Sequence, residues 1–449
     1  MNSILPTLSI DAVPTQQSAL SPDTWPFDLS LLPETTYLVG GSVRDALLGR
    51  RADYLDLDFV LPQDASLAGS GPGAIAVAQF IAKHCGAGFV VLDATHQIAR
   101  VVFERATVDF AQQVGPNLEA DLHRRDFTIN AIAYHPHSQT LFDPIGGHQD
   151  LQRRLLRMIA PDNLAEDPLR LLRAYRQAAQ LGFAIDPDTQ AAIRHLVPLA
   201  RRVAAERIRG ELDCLLSLVK GTTLLEQAWR DGVVTPWLPD VTASDWVAVR
   251  AIDQTYGDLR ETWPDFACLL MGWLRESPVP GLHRSWLKAT KLSQLVGSDP
   301  DQAEQTLLRL KYSRAEQQVV MAILRGWEML QQAMVEDRPS GAIASGLPRR
   351  LQYGLFKQVG PSFPGIALLA LAQGTDPVLV RRLLHRFQDP EDIIAHPQPL
   401  VTGRDLIQAL NLKPGRRIGE LLEAIQIAQA EGLISTPAEA LTWAAQQQP

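Results

Sequence analysis

The feature that most limits the fold of this chain is a change of texture near residue 150. From Thr36 to about Asp150, short β-branched or aromatic runs (Tyr37–Val39, Phe59–Leu61, Phe89–Leu92, Val101–Phe103, Thr107–Phe110) alternate with glycine turns and a candidate helix, Ile75–His84. After Leu151 these runs fade. Leu, Ala and Arg then recur at three- and four-residue spacing, with breaks at Pro161, Gly182–Pro187, Pro236–Pro239, Pro278–Gly281 and Pro390–Pro399. The pattern predicts an α+β domain over 36–150 followed by an all-helical remainder in several packed units. Residues 1–35 hold five prolines and little periodicity and read as a loosely ordered lead-in. No fixed-period repeat is visible.

The 449 residues correspond to about three domains. A hydrophobic share of 46% against 20% charged residues supplies real cores and excludes a disordered chain. A formal charge of −8 argues against a uniformly cationic nucleic-acid binder. The sum hides its distribution, however. Asp150 to Lys220 carries twelve Lys and Arg against nine Asp and Glu, and Arg404, Lys413, Arg416 and Arg417 cluster near the end. A discrete Arg-lined face for RNA therefore remains open. Cys85, Cys214 and Cys268 are too scattered for a disulfide framework or a zinc site. Met1–Leu20 lacks a basic start and an apolar core, so no secretory signal is expected. The apolar stretch Ile366–Ala372 falls far short of the roughly 20 residues needed to span a bilayer. These readings predict a cytoplasmic protein without a membrane partner.

Four stretches carry chemistry. In Tyr37–Gly49 an apolar strand runs into Gly40, Gly41 and Ser42, then a helix. Ser42 and Asp45 have capping-box spacing, and Gly49 is a helix stop. Glycines at a fresh helix N-terminus form a phosphate cradle, with Arg44 as a mobile positive charge. A tight turn without a ligand has the same sequence. Next, Asp56-Leu57-Asp58 lies in a strand, where alternation turns both carboxylates to one face. Such a pair repels unless a cation joins it, and Mg²⁺ takes oxygen ligands and keeps phosphates in its shell. An isolated Asp-x-Asp is common on surfaces. Beside a phosphate cradle it points to two-metal phosphoryl or nucleotidyl transfer. Ile98–Phe103 and Thr107–Phe110 read as a hairpin, in which Asp109 either reaches toward this pair or is an exposed strand residue.

The third stretch runs from Asp121 to Ala131 and includes Arg124, Arg125, Asp126 and Asn130. Asp126 and Asn130, four apart, would share a helical face. Carboxylate and amide suit a sugar hydroxyl, and the arginines suit phosphates. The plainer reading is a surface Arg–Asp pair. The fourth stretch is Glu166-Asp167-Pro168-Leu169-Arg170, continuing to Arg173 and Arg176. Pro168 fits a first helical turn. Asp167, Arg170 and Arg173 lie near one face, and Leu169, Leu172 and Tyr175 turn elsewhere. An Asp acceptor beside an Arg donor fork matches the amino group and ring nitrogen of cytosine or adenine. It mismatches uracil and guanine, whose polar groups would be left unpaired. An ordinary helix-surface salt bridge is the alternative.

Taken in order, Gly40–Asp45, Asp56-Leu57-Asp58, Arg124–Ala131 and Glu166–Arg170 resemble the class II tRNA nucleotidyltransferases and their bacterial poly(A) polymerase relatives. Gly403–Leu406, Lys413-Pro414-Gly415 and Ile418-Gly419 look like the family's tail. The resemblance implies a polymerase-β-like nucleotidyltransferase head (36–150), a helical neck with a base-template helix (151–220), a body (221–395) and a tail (396–449), in a seahorse-like arrangement. Body and tail would hold the acceptor and T arms of tRNA by shape and backbone. It further implies that Asp56 and Asp58 hold Mg²⁺, with Asp109 at the third-carboxylate position, where the family often has Glu. Gly41 and Arg44 would touch the triphosphate, with Gly40 and Ser42 in the same turn and Arg125 at the nucleotide. Asp126 and Asn130 would lie near the ribose. Asp167 and Arg170 would read the base of CTP or ATP, supported by Arg173 and Arg176.

The chain departs from the family pattern at one place. The fourteen residues Phe110–His123 are shorter than the loop usual in members that build the whole CCA end. This resembles the CC-adding subtype, which leaves the last A to a separate A-adding enzyme. The other readings are a full CCA-adding enzyme, a poly(A) polymerase and a catalytically dead tRNA-binding protein. The intact Asp56/Asp58 pair speaks against the last.

Overall fold

The computed structural model describes residues 7–8, 18–51, 53–66, 71–218, 220–272, 284–297, 299–336 and 347–447. The expected break at Pro278–Gly281 and most of the stretch before Ser18 lie outside the described residues. The chain divides into two compact units, Met1–Val203 with Gln227–Val233, and Ala204–Glu226 with Val234–Pro449.

The first unit is built on an eight-stranded mixed sheet. Its strands are β1 (Thr7–Leu8), β2 (Tyr37–Val39), β3 (Leu55–Leu61), β4 (Gly88–Asp93), β5 (Ile98–Val102), β6 (Ala106–Gln112), β7 (Ala133–His135) and β8 (Thr140–Phe142), in the order β1-β8-β7-β2-β3-β6-β5-β4. Within this sheet β3 and β6 run parallel, and the other neighbours are antiparallel. The unit's helices are α1 (Gly41–Leu47), α2 (Ala74–Cys85), α3 (Leu118–His123), α4 (Gly147–Arg153), α5 (Pro161–Glu166), α6 (Leu169–Leu181) and α7 (Pro187–Leu196). The expected helix and hairpin are both present, as α2 and as β5–β6. Helix α2 buries Ala74, Val77, Ala78, Ile81 and Ala82, a single stripe at helical spacing, and ends at Gly86 in the left-handed conformation (φ 66°).

Two expectations need correction. Residues 18–35 are not a loose lead-in. Leu20, Trp25, Phe27 and Leu32 are buried, and Trp25 meets Phe59 edge-on at 5.2 Å. The prolines forbid long regular elements here, but they do not stop aromatic side chains from covering β3 and β6. Nor is everything after Leu151 helical: β9 (Leu155–Leu156) and β10 (Ala184–Ile185) form a short parallel pair. Two-residue strands are too short to show a period in sequence.

In the second unit the helices are α8 (Ala205–Ser217), α9 (Gly221–Arg230, whose last four residues belong to the first unit), α10 (Ala243–Thr262), α11 (Pro264–Met271), α12 (Trp286–Ser293), α13 (Pro300–Arg309), α14 (Arg314–Glu336), α15 (Arg349–Val359), α16 (Phe363–Ala372), α17 (Pro377–Gln388), α18 (Gly403–Leu410), α19 (Arg416–Glu431) and α20 (Pro437–Gln446). Helix α16 is buried from Phe363 to Ala370 and packs against α10, α12, α14 and α17. The stretch Arg349–Ala372 is apolar and long enough to cross a membrane, but 67% of its apolar window is buried inside the protein, as in a core helix. Helix α12 is buried on every side, charges included. Lys288 Nζ lies 3.2 Å from Asp213 and 3.4 Å from Glu316. Helices α18–α20 close a separate small core around Leu406, Leu421 and Ile425, and capping boxes at Thr402/Asp405 and Thr436/Glu439 start two of them.

The first unit contains one very close backbone approach. Gly147 opens α4 against the single 3₁₀ turn Thr128–Asn130, and a Cβ at this position would lie 2.2 Å from the Thr128 carbonyl oxygen. Main chain cannot step aside as a side-chain tip can. Gly147→Ala should therefore destabilise the protein by about 1–3 kcal/mol, seen as a lower urea midpoint at an unchanged m-value.

Candidate active site

Strand register brings the acidic residues together. In β3, Leu57 and Phe59 face the core while Asp56 and Asp58 face away from it. The parallel pairing sets Asp58 opposite Asp109 and Asp56 opposite Thr107. Residues directly opposite in a sheet share a face, so all three carboxylates lie on one side. Thr107 Oγ1 donates to Asp56 Oδ1 at 2.7 Å. Arg100, opposite Asp109 across the β5–β6 pair, donates Nε and Nη2 to its two oxygens at 2.7 and 2.8 Å. This fork–fork pair occupies Asp109. Of the two alternatives read from sequence, the exposed strand residue is not what is found: Asp109 lies on the face of the pair, directly opposite Asp58, where Arg100 clamps it.

Burial, reinforced by the charges of Asp56 and Asp109, pushes the Asp58 carboxyl up to about 6; Arg125 and Arg173 pull the other way. A buried carboxylate held against two like charges suits a hard, oxygen-seeking cation. Among the described residues no group of three His, Cys, Asp or Glu converges on one point.

Gly40 lies against Asp58 and Arg125. Its φ of 78° is in the left-handed region, and a Cβ would be 3.2 Å from Asp58 Oδ2 and 3.6 Å from Arg125 Nη1. The turn from β2 into α1 therefore brings backbone to within contact of the carboxylate, and the first amides of α1 have no partner within the helix. The predicted capping box does not form. Ser42 Oγ donates to the Val39 carbonyl at 3.3 Å, and Asp45 is taken by Arg44. Arg44 is not a mobile charge either. Its Nε and Nη2 hold Asp45 at 3.0 and 2.9 Å, and its Nη1 donates to Asn130 Oδ1 at 2.8 Å. A charge on a surface helix reads as mobile in sequence; here a neighbouring acid and a distant amide hold it through three of its five N–H donors.

From Asn130 a polar chain continues to α6. Asn130 Nδ2 donates to Asp126 Oδ1 at 2.9 Å and to Gln177 Oε1 at 3.0 Å. Asp126 also accepts the Phe127 amide at 2.8 Å and pairs with Arg173 at 2.9 Å. Asp126 and Asn130 meet as predicted, but through a 3₁₀ turn rather than an α-helical face, and both are buried. Arg125 Nη2 pairs with Asp121 at 3.2 Å. Arg170, Arg173 and Arg176 form a partly exposed stripe on α6, opposite buried Leu172 and Tyr175. Asp167 stands between α5 and α6 and accepts the Leu169 amide at 3.3 Å. Glu166 pairs with Arg124 at 2.6 Å. The predicted residues of all four stretches, from Gly40 and Gly41 to Arg176, thus lie in the first unit.

Sequence reasoning missed five residues at this site: Arg100, Thr107, Asp121, Asn163 and Gln177. Arg100 and Thr107 emerge once the β3–β6 and β5–β6 registers are known. Gln177 is four residues beyond Arg173 on α6, a spacing that signals a shared face. Asp121 is likewise four residues before its partner Arg125, whereas Asn163, which donates to the carbonyls of His123 and Arg125, acts on main chain and leaves no pattern.

A glycine turn against a carboxylate on the adjacent strand, facing a helix that carries Arg170, Arg173 and Arg176, is an arrangement suited to nucleotidyl transfer. Residues 36–157 match the model of the "Poly A polymerase head domain", residues 182–244 that of the "Probable RNA and SrmB- binding site of polymerase A", and residues 282–445 that of tRNA nucleotidyltransferase domain 2. The CC-adding tRNA nucleotidyltransferase of Synechocystis sp. is 45% identical over 93% of this chain and 95% of its own. The A-adding tRNA nucleotidyltransferase of Deinococcus radiodurans is 34% identical over 91% and 94%. The chain belongs to the tRNA nucleotidyltransferase family. In fold it is similar to the Thermotoga maritima CCA-adding enzyme in its complex with tRNA, with a TM-score of 0.65 and 22% identity over 91% of this chain and 90% of that one.

The raised carboxylate and the glycine turn can each be probed directly. A raised carboxylate pKa means that the cost of ionising Asp58 is absent at pH 3–4, grows as pH rises from about 4 to about 6, and is complete at pH 7, where it reaches on the order of 3 kcal/mol. Asp58→Asn should therefore raise the unfolding midpoint of the metal-free protein at pH 7, with the gain shrinking toward pH 4; equal gains at both pH values would contradict the burial of this charge. Gly40→Ala should lower activity by about 100-fold or more, as a shift of about 1 Å at a reacting centre does, with little change in the far-UV circular dichroism.

Proposed function

We propose that this chain is a CC-adding tRNA nucleotidyltransferase, which transfers cytidylate from CTP to the 3′ end of a tRNA and releases pyrophosphate. The observation that carries the CC restriction is the shape of Phe110–His123. Strand β6 runs to Gln112 and α3 begins at Leu118, leaving 113–117 between them, and Asp121 Oδ1 accepts the Val114 amide at 3.0 Å to fasten that connection. Little chain remains to swing and re-aim a template. The identity with a relative named as CC-adding supports the same reading.

In this scheme Asp56 and Asp58 would hold Mg²⁺, which when bound supplies charge neutralisation at the triphosphate and activation of the tRNA 3′-hydroxyl. Asp109, oriented by Arg100, would stand in the third-carboxylate position opposite Asp58. The Gly40–Gly41–Ser42 turn brings backbone amides toward phosphate oxygens, and Arg125 adds positive charge beside Asp58. Asp126 and Asn130, saturated by Arg173, Gln177 and Arg44, fix the arginines around the nucleotide and leave little polar capacity for its ribose. Asp167 and Arg170 read the base, with Arg173 and Arg176 behind them. The head, neck, body and tail division stands as part of this proposal, with tRNA held along the helical parts. The enzyme would work in the cytoplasm, and its product, a tRNA ending in CC, would pass to a separate A-adding enzyme.

The test is incorporation of labelled CTP and ATP, separately and together, into tRNAs lacking the CCA end, ending in one added C, or ending in both. Two C residues and no A are expected. A terminal A on the third tRNA means a full CCA-adding enzyme, and a long A tract means a poly(A) polymerase. Asp58→Ala should abolish addition and leave tRNA binding largely intact; normal addition would remove Asp58 from the metal assignment. Arg170→Ala should relax discrimination against UTP and GTP.

A further inference from the structure

The C-terminal end of α3 is held in a way that no motif accounts for. The last carbonyls of a helix lack intrahelical partners and need donors from elsewhere. Here the donors come from the base-reading side of the site. Asn163, on α5, donates its side-chain Nδ2 to the His123 carbonyl at 2.7 Å and to the Arg125 carbonyl at 2.7 Å. Between them, the Arg124 carbonyl accepts Arg170 Nη1 at 3.1 Å, and the same Nη1 donates to the main-chain carbonyl of Asn163 at 2.8 Å. Three consecutive carbonyls are thus tied to α5 and α6, and Asn163 is both a donor to two of them and an acceptor for the arginine that ties the third.

We propose that Asn163 is the specificity-determining positioning residue of this site. By fastening the end of α3 to the base-reading arginine, it holds Arg170 in the one orientation that pairs with cytosine. The proposal rests on the CC-adding reading above. Both of these Arg170 hydrogen bonds use Nη1, which commits one corner of the planar guanidinium and leaves the Nε–Nη2 edge to serve as the donor fork. Cytosine and adenine offer the same donor–acceptor order, so the Asp167/Arg170 pair alone does not separate them. Separation requires that the fork not move outward to meet the larger ring, and a fork tied at one corner to an anchored carbonyl cannot. The short connection 113–117 anchors the other end of α3. Loss of Asn163 frees two carbonyls and leaves Arg170 with a less fixed partner.

A purely structural helix cap would give another result: loss of stability and of overall rate without a change of base choice. Asn163→Ala separates the two. The full-length enzyme and the variant are compared by kcat/KM for CTP, ATP and UTP on tRNA lacking its CCA end and on tRNA ending in CC, with thermal unfolding measured in parallel. The expected result is a fall of about tenfold or more in the preference for CTP over ATP and UTP, with measurable A addition to tRNA ending in CC. Preference ratios unchanged within twofold in a folded variant overturn the proposal. If Asn163→Ala is too unstable to assay, Asn163→Ser, which keeps a single hydrogen-bond donor, should show an intermediate ratio, and an unaltered ratio there overturns the proposal equally. A wild-type enzyme that adds the final A unaided defeats the CC-adding reading itself. That result appears in the wild-type lanes, before any variant is consulted, and so is told apart from a failure of Asn163.

Discussion

Three carboxylates on one face of two adjacent strands form a repulsion that the rest of the first unit is arranged to contain. The parallel β3–β6 register makes it unavoidable, because Asp58 and Asp109 are directly opposite and Asp56 is two residues away on the same face. Each acid is answered differently. Asp109 is neutralised by a two-pronged arginine, Asp56 takes a hydroxyl, and Asp58 is left with proximity to Arg125 and Arg173 but no hydrogen bond to either. The unequal treatment concentrates the unfavourable energy on one side chain, the one beneath the Gly40 turn. For the cation site proposed above, such a deficit is what the metal-free state should carry.

Outward from the carboxylates, polar contacts form an almost continuous line. Asp45, Arg44, Asn130, Asp126 and Arg173 alternate in sign or hydrogen-bonding sense, and Gln177 joins at the middle. This line links the glycine turn to α6 through the buried side chains of Asn130, Asp126 and Gln177. The low local dielectric strengthens such contacts and makes any unpaired member costly. Behind α6, Asp231 accepts the Tyr175 hydroxyl at 2.6 Å, Gln190 at 2.7 Å and Arg194 at 2.6 Å. Helix α6 is therefore fixed on both of its sides by polar side chains rather than by apolar packing alone.

The sequence was most informative where chemistry and periodicity coincide. Asp56-Leu57-Asp58 could be placed on an open strand face because Leu57, Phe59 and Leu61 claim the other one. The three arginines of α6 could be assigned to a single stripe because Leu172 and Tyr175 fill the opposite side. Legibility failed where a side chain answers to something distant in the chain. Arg44 is pinned by Asn130, eighty-six residues away, and its local surroundings suggest only a mobile charge. Trp25 and Phe27 lie among prolines and become core through β3 and β6, not through any element of their own. Lys288 and Lys291 look like surface residues until α12 is seen enclosed, with Asp213, Glu316 and Asp253 supplying their counter-charges.

The anchoring of α3 through main-chain carbonyls has a consequence for how this protein can diverge. A carbonyl is present whatever residue occupies the position, so substitutions at 123, 124 or 125 change the local charge without removing the acceptors. The fastening can be lost only at its donors, which are two, Asn163 and Arg170. Under the assignments proposed above, phosphate affinity and base preference can therefore be altered separately, the first through side chains of the Arg124–Arg125 segment and the second through two residues on the facing helices.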